Sequence, residues 1–511
     1  MIYDVIVVGG GHNGLISAAY LANSGKSVLL LEGKDHLGGA SISTRTFPEH
    51  DVRLSSYSYL VSLLPEKIIN DLNLRFITKS REISSYTPDT RSGKDCGLLV
   101  ERNAGEISQR SFRDLTGSDQ EFQAWRKFYS EVESIAKVIA PTLLQPLPSV
   151  KNLKSELGNE HLWNEICELP IGQVVRERFS DDLVRGVVLT DALIGTFTSV
   201  DELQANICFL YHLIGNGTGE WKVPVGGMGA FAEELERVAI SSGVKIIKNI
   251  KIDQVLPDAN GVELEGSTGG NFAGRDLIWA ASPTALASAL GSKQPKLRDG
   301  SQIKMNMLLK KLPELKSGVD PKLAFAGTFH FDERYSDFQL AYSQAVAGQI
   351  PDIIPAEMYC HTLSDTSILS PDLVAKGFQT LTLFGIHTPA FLFEKDNSGS
   401  KAIILKRLLN QLNQYLVDPI ESCLAKNSDG SLCIEIKSPL DLEKEIGLPR
   451  GNIFHKDLSM PFREDGSAPS WGVETDIPNL FLCGAGAIRG GGVSGIPGHN
   501  AAAAVLEARG M

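Results

Sequence analysis

The sequence lacks the motifs of several common classes of site. None of its seven cysteines is spaced C-x-x-C, which argues against a zinc ribbon and a redox-active dithiol. Its ten histidines include no H-E-x-x-H or similar paired spacing, so no metal site is predicted. No G-x-S-x-G elbow or Ser-His-Asp order is recognisable. No apolar run of about 18 residues occurs either, and no transmembrane helix is expected.

The sequence also has fewer basic residues than acidic ones. The 49 Lys and Arg residues face 61 Asp and Glu residues, a net charge of -12 that argues against broad nucleic-acid binding. The 511 residues are 42% hydrophobic, enough for two or three domains with large cores. The first predicted strand starts at Tyr3, which leaves no room for a signal peptide, and a cytoplasmic protein is expected.

The N-terminal segment "YDVIVVGGGHNGL" is typical of a dinucleotide site. The β-branched run 5–8 predicts a buried parallel strand, and a helix is predicted from about Asn13 to Ser24. Gly9, Gly11 and Gly14 form G-x-G-x-x-G between them. In that motif the first glycine permits a tight turn, the second lets the backbone approach a pyrophosphate, and the third allows close packing of helix on strand.

An acidic residue stands where such a site needs one. Glu32 follows the predicted second strand, 27–31, and lies 18 residues beyond Gly14. A carboxylate there accepts hydrogen bonds from both ribose hydroxyls of an adenosine, each worth roughly 1.5–3 kcal/mol. The alternative is a glycine-rich turn with an incidental acid. Strand, helix, strand and acid in register favour the nucleotide site.

A second glycine doublet distinguishes FAD from NAD. Gly38, Gly39 and Ala40 follow shortly after Glu32. An FAD site needs bare backbone there, facing the extended pyrophosphate and ribityl chain, whereas an NAD domain has no such requirement. FAD is therefore the predicted cofactor.

Here the sequence resembles a known family. The G-x-G-H-N-G-L opening and the E-x-x-x-x-x-G-G-A continuation are similar to phytoene-desaturase-type carotenoid oxidoreductases, which are FAD flavoproteins. The most similar branch contains desaturase-type carotenoid ketolases and the proteins named for a pyridine nucleotide-disulphide oxidoreductase domain. The resemblance recurs at Thr190–Ser199, Pro224–Leu235, Leu440–His455 and the C-terminal stretch.

The resemblance implies an α/β architecture. It predicts a Rossmann-type FAD-binding domain, with the GR2-like flavoprotein fold, assembled from the discontinuous segments 1–75, 222–290 and 441–511. A mainly helical substrate or lid insertion is expected over 76–221, and an α+β substrate domain over 291–440.

The resemblance also implies further site residues. Additional FAD contacts are expected at His12, Asn13, Gly33, Ile252, Ala281, Gly484, Gly492 and Val493. The last of these, with the amides at the start of the final helix, would face the flavin ring, where the helix dipole favours developing negative charge. Tyr57 and Tyr59 are catalytic candidates, with two interface aromatics as the alternative. Arg489 is a third candidate, because relatives commonly read His-Pro where this chain has Ile488-Arg489. It would hold an anionic substrate or stabilise reduced flavin, or else point to solvent.

Two other glycine clusters repeat the phosphate-loop pattern. Gly227, Gly229 and Ala232 could begin a second dinucleotide site, with Lys248 suited to NADP, but the preceding strand is short and holds a proline. By resemblance, this segment instead returns the chain to the FAD domain. The pattern ending at Gly495 has only 16 residues after it, too few for a βαβ unit, and is a coincidence of a glycine-rich turn.

Helical periodicity marks both insertions. Ser118 and Glu121 form a predicted capping box ahead of an aromatic stripe, 122–139, which is either core or a substrate surface. One long amphipathic helix is predicted over 401–424.

The predicted function follows from cofactor and insertion together. The chain is expected to be an FAD-dependent oxidoreductase that transfers hydride from a hydrophobic, isoprenoid or polyene substrate to flavin N5. One alternative is an oxidase or dehydrogenase of a smaller polar or carboxylate-bearing substrate. Another is a non-catalytic flavin-bound interaction protein, suggested by the lack of an identifiable acid or base. The apolar insertion also predicts peripheral contact with a membrane.

Overall fold

The computed structural model describes residues 2–217, 219–267 and 269–510. The strands are β1 (Ile2–Val8), β2 (Val28–Leu31), β3 (Ser43–Thr44), β4 (Leu54–Ser55), β5 (Thr78–Lys79), β6 (Ile83–Arg91), β7 (Lys94–Glu101), β8 (Val223–Pro224), β9 (Lys245–Ile247), β10 (Ile252–Pro257), β11 (Val262–Gly266), β12 (Asn271–Trp279), β13 (Ile303–Leu309), β14 (Thr328–Phe331), β15 (Ala356–Tyr359), β16 (Gln379–Gly385), β17 (Ile434–Lys437) and β18 (Leu480–Leu482).

The helices are α1 (His12–Asn23), α2 (Glu66–Asp71), α3 (Glu106–Thr116), α4 (Gln120–Ile139), α5 (Val150–Leu157), α6 (Glu160–Trp163), α7 (Ile171–Arg178), α8 (Asp182–Leu193), α9 (Leu203–Ile214), α10 (Gly227–Ser241), α11 (Pro283–Ala289), α12 (Pro321–Ala324), α13 (Tyr335–Val346), α14 (Pro371–Ala375), α15 (Asn397–Asn413), α16 (Ile420–Cys423), α17 (Pro439–Ile446) and α18 (Ile496–Ala508).

The first sheet has the order β10-β11-β12-β1-β2-β9, with β18 pairing with the second half of β12. Strand β1 runs parallel to both β2 and β12, and β9 and β18 extend the parallel pairing on either side. Since parallel strands end at one edge, β1, β2 and β12 bring their carboxyl ends together there, which is where open α/β sheets bind ligands. The predicted α/β class with a Rossmann-type unit is confirmed.

Helix α1 lies at the centre of this unit because glycines let other backbone segments reach it. A Cβ at Gly14 would lie 2.0 Å from the carbonyl oxygen of Gly9, so no other residue permits this contact between helix and strand end. A Cβ at Gly498 on α18 would lie 2.4 Å from the carbonyl oxygen of Asn13. The first turn of α1 is therefore packed against the end of β1 on one side and α18 on the other.

The second sheet has the order β17-β13-β16-β15-β14-β6-β7 and is antiparallel except between β14 and β6. Strands β6 and β7 belong to the segment expected to be mainly helical, whose longer helices begin only at Glu106. These two strands form here because Ile83, Tyr86 and Leu99 pack into the core of the second sheet.

Helices α3 to α9 share one core to which the aromatic stripe contributes. Phe122, Trp125 and Phe128 are buried in it. The predicted capping box is wrong: α4 has Asp119 as its N-cap with no side-chain cap bond. The carboxylate of Glu121 instead accepts hydrogen bonds from the backbone and hydroxyl of Ser180, because a tertiary partner satisfies it better than the helix end.

The single long helix predicted over 401–424 is also wrong. Helix α15 ends at Asn413, and the short α16 begins only at Ile420. Pro419, the N-cap of α16, has no amide hydrogen to donate and clashes with a continuing helix, so the apolar periodicity runs across a break. Within the described ranges, no helix is both long and apolar enough to cross a membrane.

The approach of α8 to the loop after β14 gives a stability prediction. A Cβ at Gly186 would lie 1.6 Å from the carbonyl oxygen of Glu333, a backbone atom with little freedom to move. Alanine favours a helix over glycine by about 1 kcal/mol, but overpacking costs about 1–3 kcal/mol or more. We expect Gly186→Ala to lower stability by about 2 kcal/mol in urea unfolding. Lys127→Ala, at an exposed position on α4, should stay within about 0.5 kcal/mol; equal stability of the two variants would contradict this packing.

Candidate active site

A cavity of about 1270 Å³ touches the carboxyl ends of β1, β2 and β12 and reaches the face of the second sheet. Nearly all residues predicted to contact FAD line it, from regions far apart in the sequence. They are Gly9, Gly11, His12, Asn13, Gly14, Glu32, Gly33, Gly39, Ala40, Ile252, Ala281, Gly484, Gly492 and Val493. Tyr57 and Tyr59 line it as well, whereas Gly38 and Arg489 do not.

The turn between β1 and α1 leaves backbone facing open space. Gly9 has a φ of 105°, which favours glycine. A Cβ on Gly11 would meet nothing closer than the Cα of Gly39 at 4.0 Å, so the space in front of this residue is free. Gly11 is the N-cap of α1, and the first turn of that helix carries no acidic side chain. The N–H groups at the start of a helix and the helix dipole suit a phosphate.

The carboxylate of Glu32 is held in place by the backbone. Its Oε2 accepts a hydrogen bond from the N–H of Gly10 at 2.7 Å, and its Oε1 accepts one from the N–H of Lys34 at 2.8 Å. A carboxylate has about four acceptor positions, so two remain for ribose hydroxyls. Glu32 also lines the cavity, so the remaining acceptors have a route to a ligand.

Gly38 differs from its expected role. It packs away from the cavity, where a Cβ would lie 2.8 Å from the Cβ of Ala232 on α10, and its N–H donates to the carbonyl of Gly10 at 2.8 Å. Its neighbour Gly39 lies against Gly11, with 3.2 Å from a hypothetical Cβ to the Gly11 Cα. One glycine of the doublet thus fixes the loop, and the other leaves the cavity open.

The C-terminal glycines lie across the cavity from α1. A Cβ at Gly484 would lie 2.7 Å from the carbonyl oxygen of Ala280, so β18 ends tightly beside β12. Gly492 has a φ of 57° and faces the hydroxyl of Tyr211 and the ring of His12. Gly495, the N-cap of α18, does not line the cavity. Gly492 and Val493 therefore line the cavity, whereas the start of α18 does not.

Arg489 does not face the cavity, which corrects its proposed role beside the flavin. Its side chain is buried, and its Nη1 donates to the carbonyls of Thr142, Leu143 and Gln145 at 2.9, 2.9 and 2.6 Å. Burial lowers the pKa of the guanidinium to about 10. This arginine fastens the turn after α4 to the glycine-rich segment and points neither to a substrate nor to solvent.

The two tyrosines lie at the interface of the sheets with their hydroxyls bonded. Tyr57 donates to Glu445 at 2.9 Å, and Tyr59 donates to Glu357 at 3.2 Å. Burial raises the pKa of both phenols above their usual range. Neither tyrosine is poised to ionise at neutral pH, which favours the expected alternative of interface aromatics.

A row of side chains that sequence reasoning missed crosses the second sheet. His330 on β14 pairs with Glu357 on β15, Glu357 with Phe384 on β16, and Phe384 with Lys304 on β13. All four line the cavity. The sequence signal was a polar residue within a short apolar strand, in "TFHF" and "IKMNMLL", but only the register places these residues side by side.

Ionisable groups around this row are held far from their ordinary states. Burial lowers the pKa of Lys304 to about 7, and its Nζ donates to the carbonyls of Ser55 and Tyr57 at 2.9 and 2.8 Å. Burial raises the pKa of Glu357 and of Asp191, on α8, to about 7 each. Such perturbed groups facing one cavity are typical of functional sites.

The residues at the first sheet fit an FAD molecule. The open space at Gly11 and Gly33 admits a pyrophosphate and ribose, and the Glu32 carboxylate can accept from the ribose. The buried Nε2 of His12 has no hydrogen-bond partner among the described residues, and burial lowers the pKa of this ring to about 4, so it is neutral. The remaining cavity extends past Gly484 and Gly492, which accommodates a second, larger ring system.

The chain is similar to several known proteins. The model of an NAD(P)-binding Rossmann-like domain matches residues 7–62. An uncharacterized protein of Mycobacterium tuberculosis is 42% identical over 99% of this chain and 97% of its own. Pyridine nucleotide-disulfide oxidoreductase domain-containing protein 2 of Mus musculus is 28% identical over 99% and 93%. One of the subunits of limonene dehydrogenase from Castellaniella defragrans is 23% identical over 99% and 95%.

A solved structure shares the fold over the full chain. Putrescine oxidase bound to putrescine superposes with a TM-score of 0.61 at 17% identity, covering 99% of both chains. The class is that of proteins with a Rossmann-like NAD(P)-binding domain, and the residues of this site fit FAD. Within that class, the chain belongs to the family of the mycobacterial protein and is homologous to pyridine nucleotide-disulfide oxidoreductase domain-containing protein 2.

Loss of the Glu32 carboxylate should weaken FAD binding. Hydrogen bonds to a charged group contribute about 1.5–3 kcal/mol, so Glu32→Ala should raise the Kd for FAD at least tenfold in calorimetric titration of the apoprotein. Glu263→Ala, which removes an exposed carboxylate on β11 of the same sheet, should leave the Kd unchanged. An unaltered Kd in Glu32→Ala would show that this carboxylate makes no contact with the ribose.

Asp191 gives a pH-dependent prediction. Because its pKa is raised to about 7, the native carboxyl keeps a proton that the unfolded chain loses near pH 4. Its contribution to stability is full below the unfolded pKa and is lost as pH rises through 7. Asp191→Asn cannot ionise, so its stability relative to wild type, measured from the thermal midpoints, should rise by about 1–3 kcal/mol between pH 5.5 and pH 8.5. The exposed Asp114→Asn should show no such divergence, and a constant difference across pH for Asp191→Asn would refute the shift.

Proposed function

We propose that the protein is an FAD-dependent oxidoreductase that transfers a hydride from a hydrophobic, isoprenoid or polyene substrate to flavin N5. The proposal rests on one observation: the nucleotide end at Gly11 and Glu32 and the aromatic wall at Trp125 and Tyr129 belong to the same cavity. A bound flavin supplies the hydride acceptor, and the protein supplies binding, orientation and the exclusion of water. A substrate in this space lies under the helices of the first insertion, away from bulk solvent.

The wall contributed by the helical segment supports an apolar substrate. It includes aromatic and aliphatic side chains from α4, α8 and the turn after α8, namely Trp125, Tyr129, Val132, Ala136, Val187 and Ile194. Burying apolar substrate surface against such a wall contributes about 25 cal/mol per Å². The homology to part of a limonene dehydrogenase is in keeping with this class, since limonene is an isoprenoid hydrocarbon.

The cofactor contacts divide between the two ends of the cavity in this proposal. Gly9, Gly11, Gly14 and Glu32 bind the adenosine and pyrophosphate, with His12, Asn13, Gly33, Gly39, Ala40 and Ile252 around them. Ala281, Gly484, Gly492 and Val493 contact the flavin ring. Peripheral contact with a membrane is a further part of the proposal, because an apolar substrate would be drawn from one; co-sedimentation with liposomes tests it.

A second candidate function has its own support. Arg81 and, in its protonated form, Lys304 are cations that line the cavity, and a cation suits a smaller polar or carboxylate-bearing substrate. Arg81 also lies over the ring of Tyr359, 5.6 Å from its centroid, so it is already partly engaged. The two candidates predict opposite outcomes in one substrate panel.

Anaerobic bleaching of the flavin distinguishes the candidates. Holoprotein mixed with isoprenoid hydrocarbons, terpene alcohols, amines and hydroxy acids should lose its flavin absorbance with the isoprenoids alone. Val187→Trp places a larger side chain in the cavity beside the apolar wall. It should slow that bleaching by tenfold or more because less space remains for the substrate. Lys127→Ala serves as the control for purification and flavin content. Bleaching by hydroxy acids alone would select the polar substrate, and a colourless protein would exclude both.

A further inference from the structure

A carboxylate–histidine pair presents a ring nitrogen to the cavity wall. The Nδ1 of His330 donates to the Oε2 of Glu333 at 2.6 Å, and the hydroxyl of Thr190 donates to the same oxygen. Glu333 is fully buried, and His330 is 5% exposed. The pair fixes the orientation of the imidazole, because the carboxylate holds Nδ1 and Thr190 holds the carboxylate.

The other nitrogen of this ring has no partner within the protein. Nε2 of His330 makes no hydrogen bond to any residue that the structure describes, although His330 lines the cavity. Burial alone would lower the pKa of this ring, but the carboxylates of Glu333, Glu357 and Asp191 outweigh it and raise the pKa. The ring is therefore inclined to carry a proton on Nε2 and to donate it to whatever lies opposite.

Asp191 supplies the complementary acceptor. It lines the same cavity, and its carboxyl group, which has an acceptor oxygen whether or not it is protonated, accepts no hydrogen bond from the described residues. It lies close enough to His330 for the two charges to affect each other. Glu357, by contrast, is already occupied by the hydroxyl of Tyr59. A donor on His330 and a free acceptor on Asp191 face one space.

We propose that His330 and Asp191 form a polar subsite that binds a hydroxyl group of the substrate. A hydroxyl can accept a hydrogen bond from the histidine and donate one to the carboxylate, whereas a hydrocarbon end can do neither. An ammonium group could donate a hydrogen bond to Asp191, but it cannot accept one from the histidine. It would also be repelled by a positive charge on the histidine. This assignment rests on the proposed function and refines it: the apolar substrate ends in an alcohol.

Three matched ten-carbon probes test the subsite: geraniol, the hydrocarbon 2,6-dimethyl-2,6-octadiene and geranylamine. Their Kd values for holoprotein are measured by quenching of intrinsic fluorescence, which requires no turnover. Wild type should bind geraniol at least tenfold more tightly than either other probe. His330→Leu and Asp191→Ala should each raise the Kd for geraniol to the value found for the hydrocarbon. The Kd for the hydrocarbon itself should not change. His330→Gln, which keeps a donor, should retain part of the preference.

Controls separate the subsite from general damage. Glu443→Gln removes an exposed carboxylate that lines the same cavity and should preserve the preference for geraniol. Flavin content and near-UV circular dichroism establish that each variant is folded, and Asp191→Ala carries the test if His330→Leu does not fold. Equal binding of geraniol and the hydrocarbon by wild type, a preference that survives in Asp191→Ala, or geranylamine binding as tightly as geraniol would each overturn the assignment.

Failure of the subsite and failure of the proposed function give different results. If geraniol binds preferentially and the variants abolish that preference, but no probe bleaches the flavin anaerobically, the subsite stands and the proposed oxidation falls. If the isoprenoids bleach the flavin without any preference for the alcohol, the oxidation stands and the subsite falls.

Discussion

Contact between the first turn of α1 and the end of β1 is the constraint on which the site depends. It exists because residue 14 has no side chain to separate the helix from the carbonyl of Gly9. Once α1 is seated there, α18 packs on its other side through Gly498, and the loop at Gly38 and Gly39 closes over Gly11. Three segments far apart in the chain thus meet around one backbone turn, and the space left between them is the nucleotide end of the cavity.

The same principle explains how much of the site was predictable. The glycines and Glu32 were recognisable because their roles depend on local backbone geometry, which a short motif encodes. The row from His330 to Lys304 was not, since it depends on the register of four strands separated by long connections. A one-residue slip in any strand would turn its side chain to the other face. The acidic and basic groups of this row meet only in three dimensions, so no short motif in the sequence marks them.

Arg489 is a second residue whose role the sequence alone does not give. Its position in the sequence places Arg489 next to the glycine cluster, but sequence cannot give the direction of a side chain. In the structure, one of its nitrogens donates hydrogen bonds to three carbonyl groups of the turn after α4. Proximity along the chain therefore indicates the region in which Arg489 lies. Its role depends on the buried turn, whose carbonyl groups need hydrogen-bond donors.

The pairing of the first sheet has a consequence for the order in which the protein can acquire its cofactor. Strand β1 lies next to β12, β12 next to β18, and α18 packs on α1. A growing polypeptide that has passed β12 still lacks Gly484, Gly492 and the helix that supports α1. The half of the cavity proposed to bind the flavin ring is thus completed by a segment that is synthesised after β12. In that proposal, the complete flavin site forms only after this segment has left the ribosome, and until then the nascent chain lacks the stabilisation that a bound ligand provides.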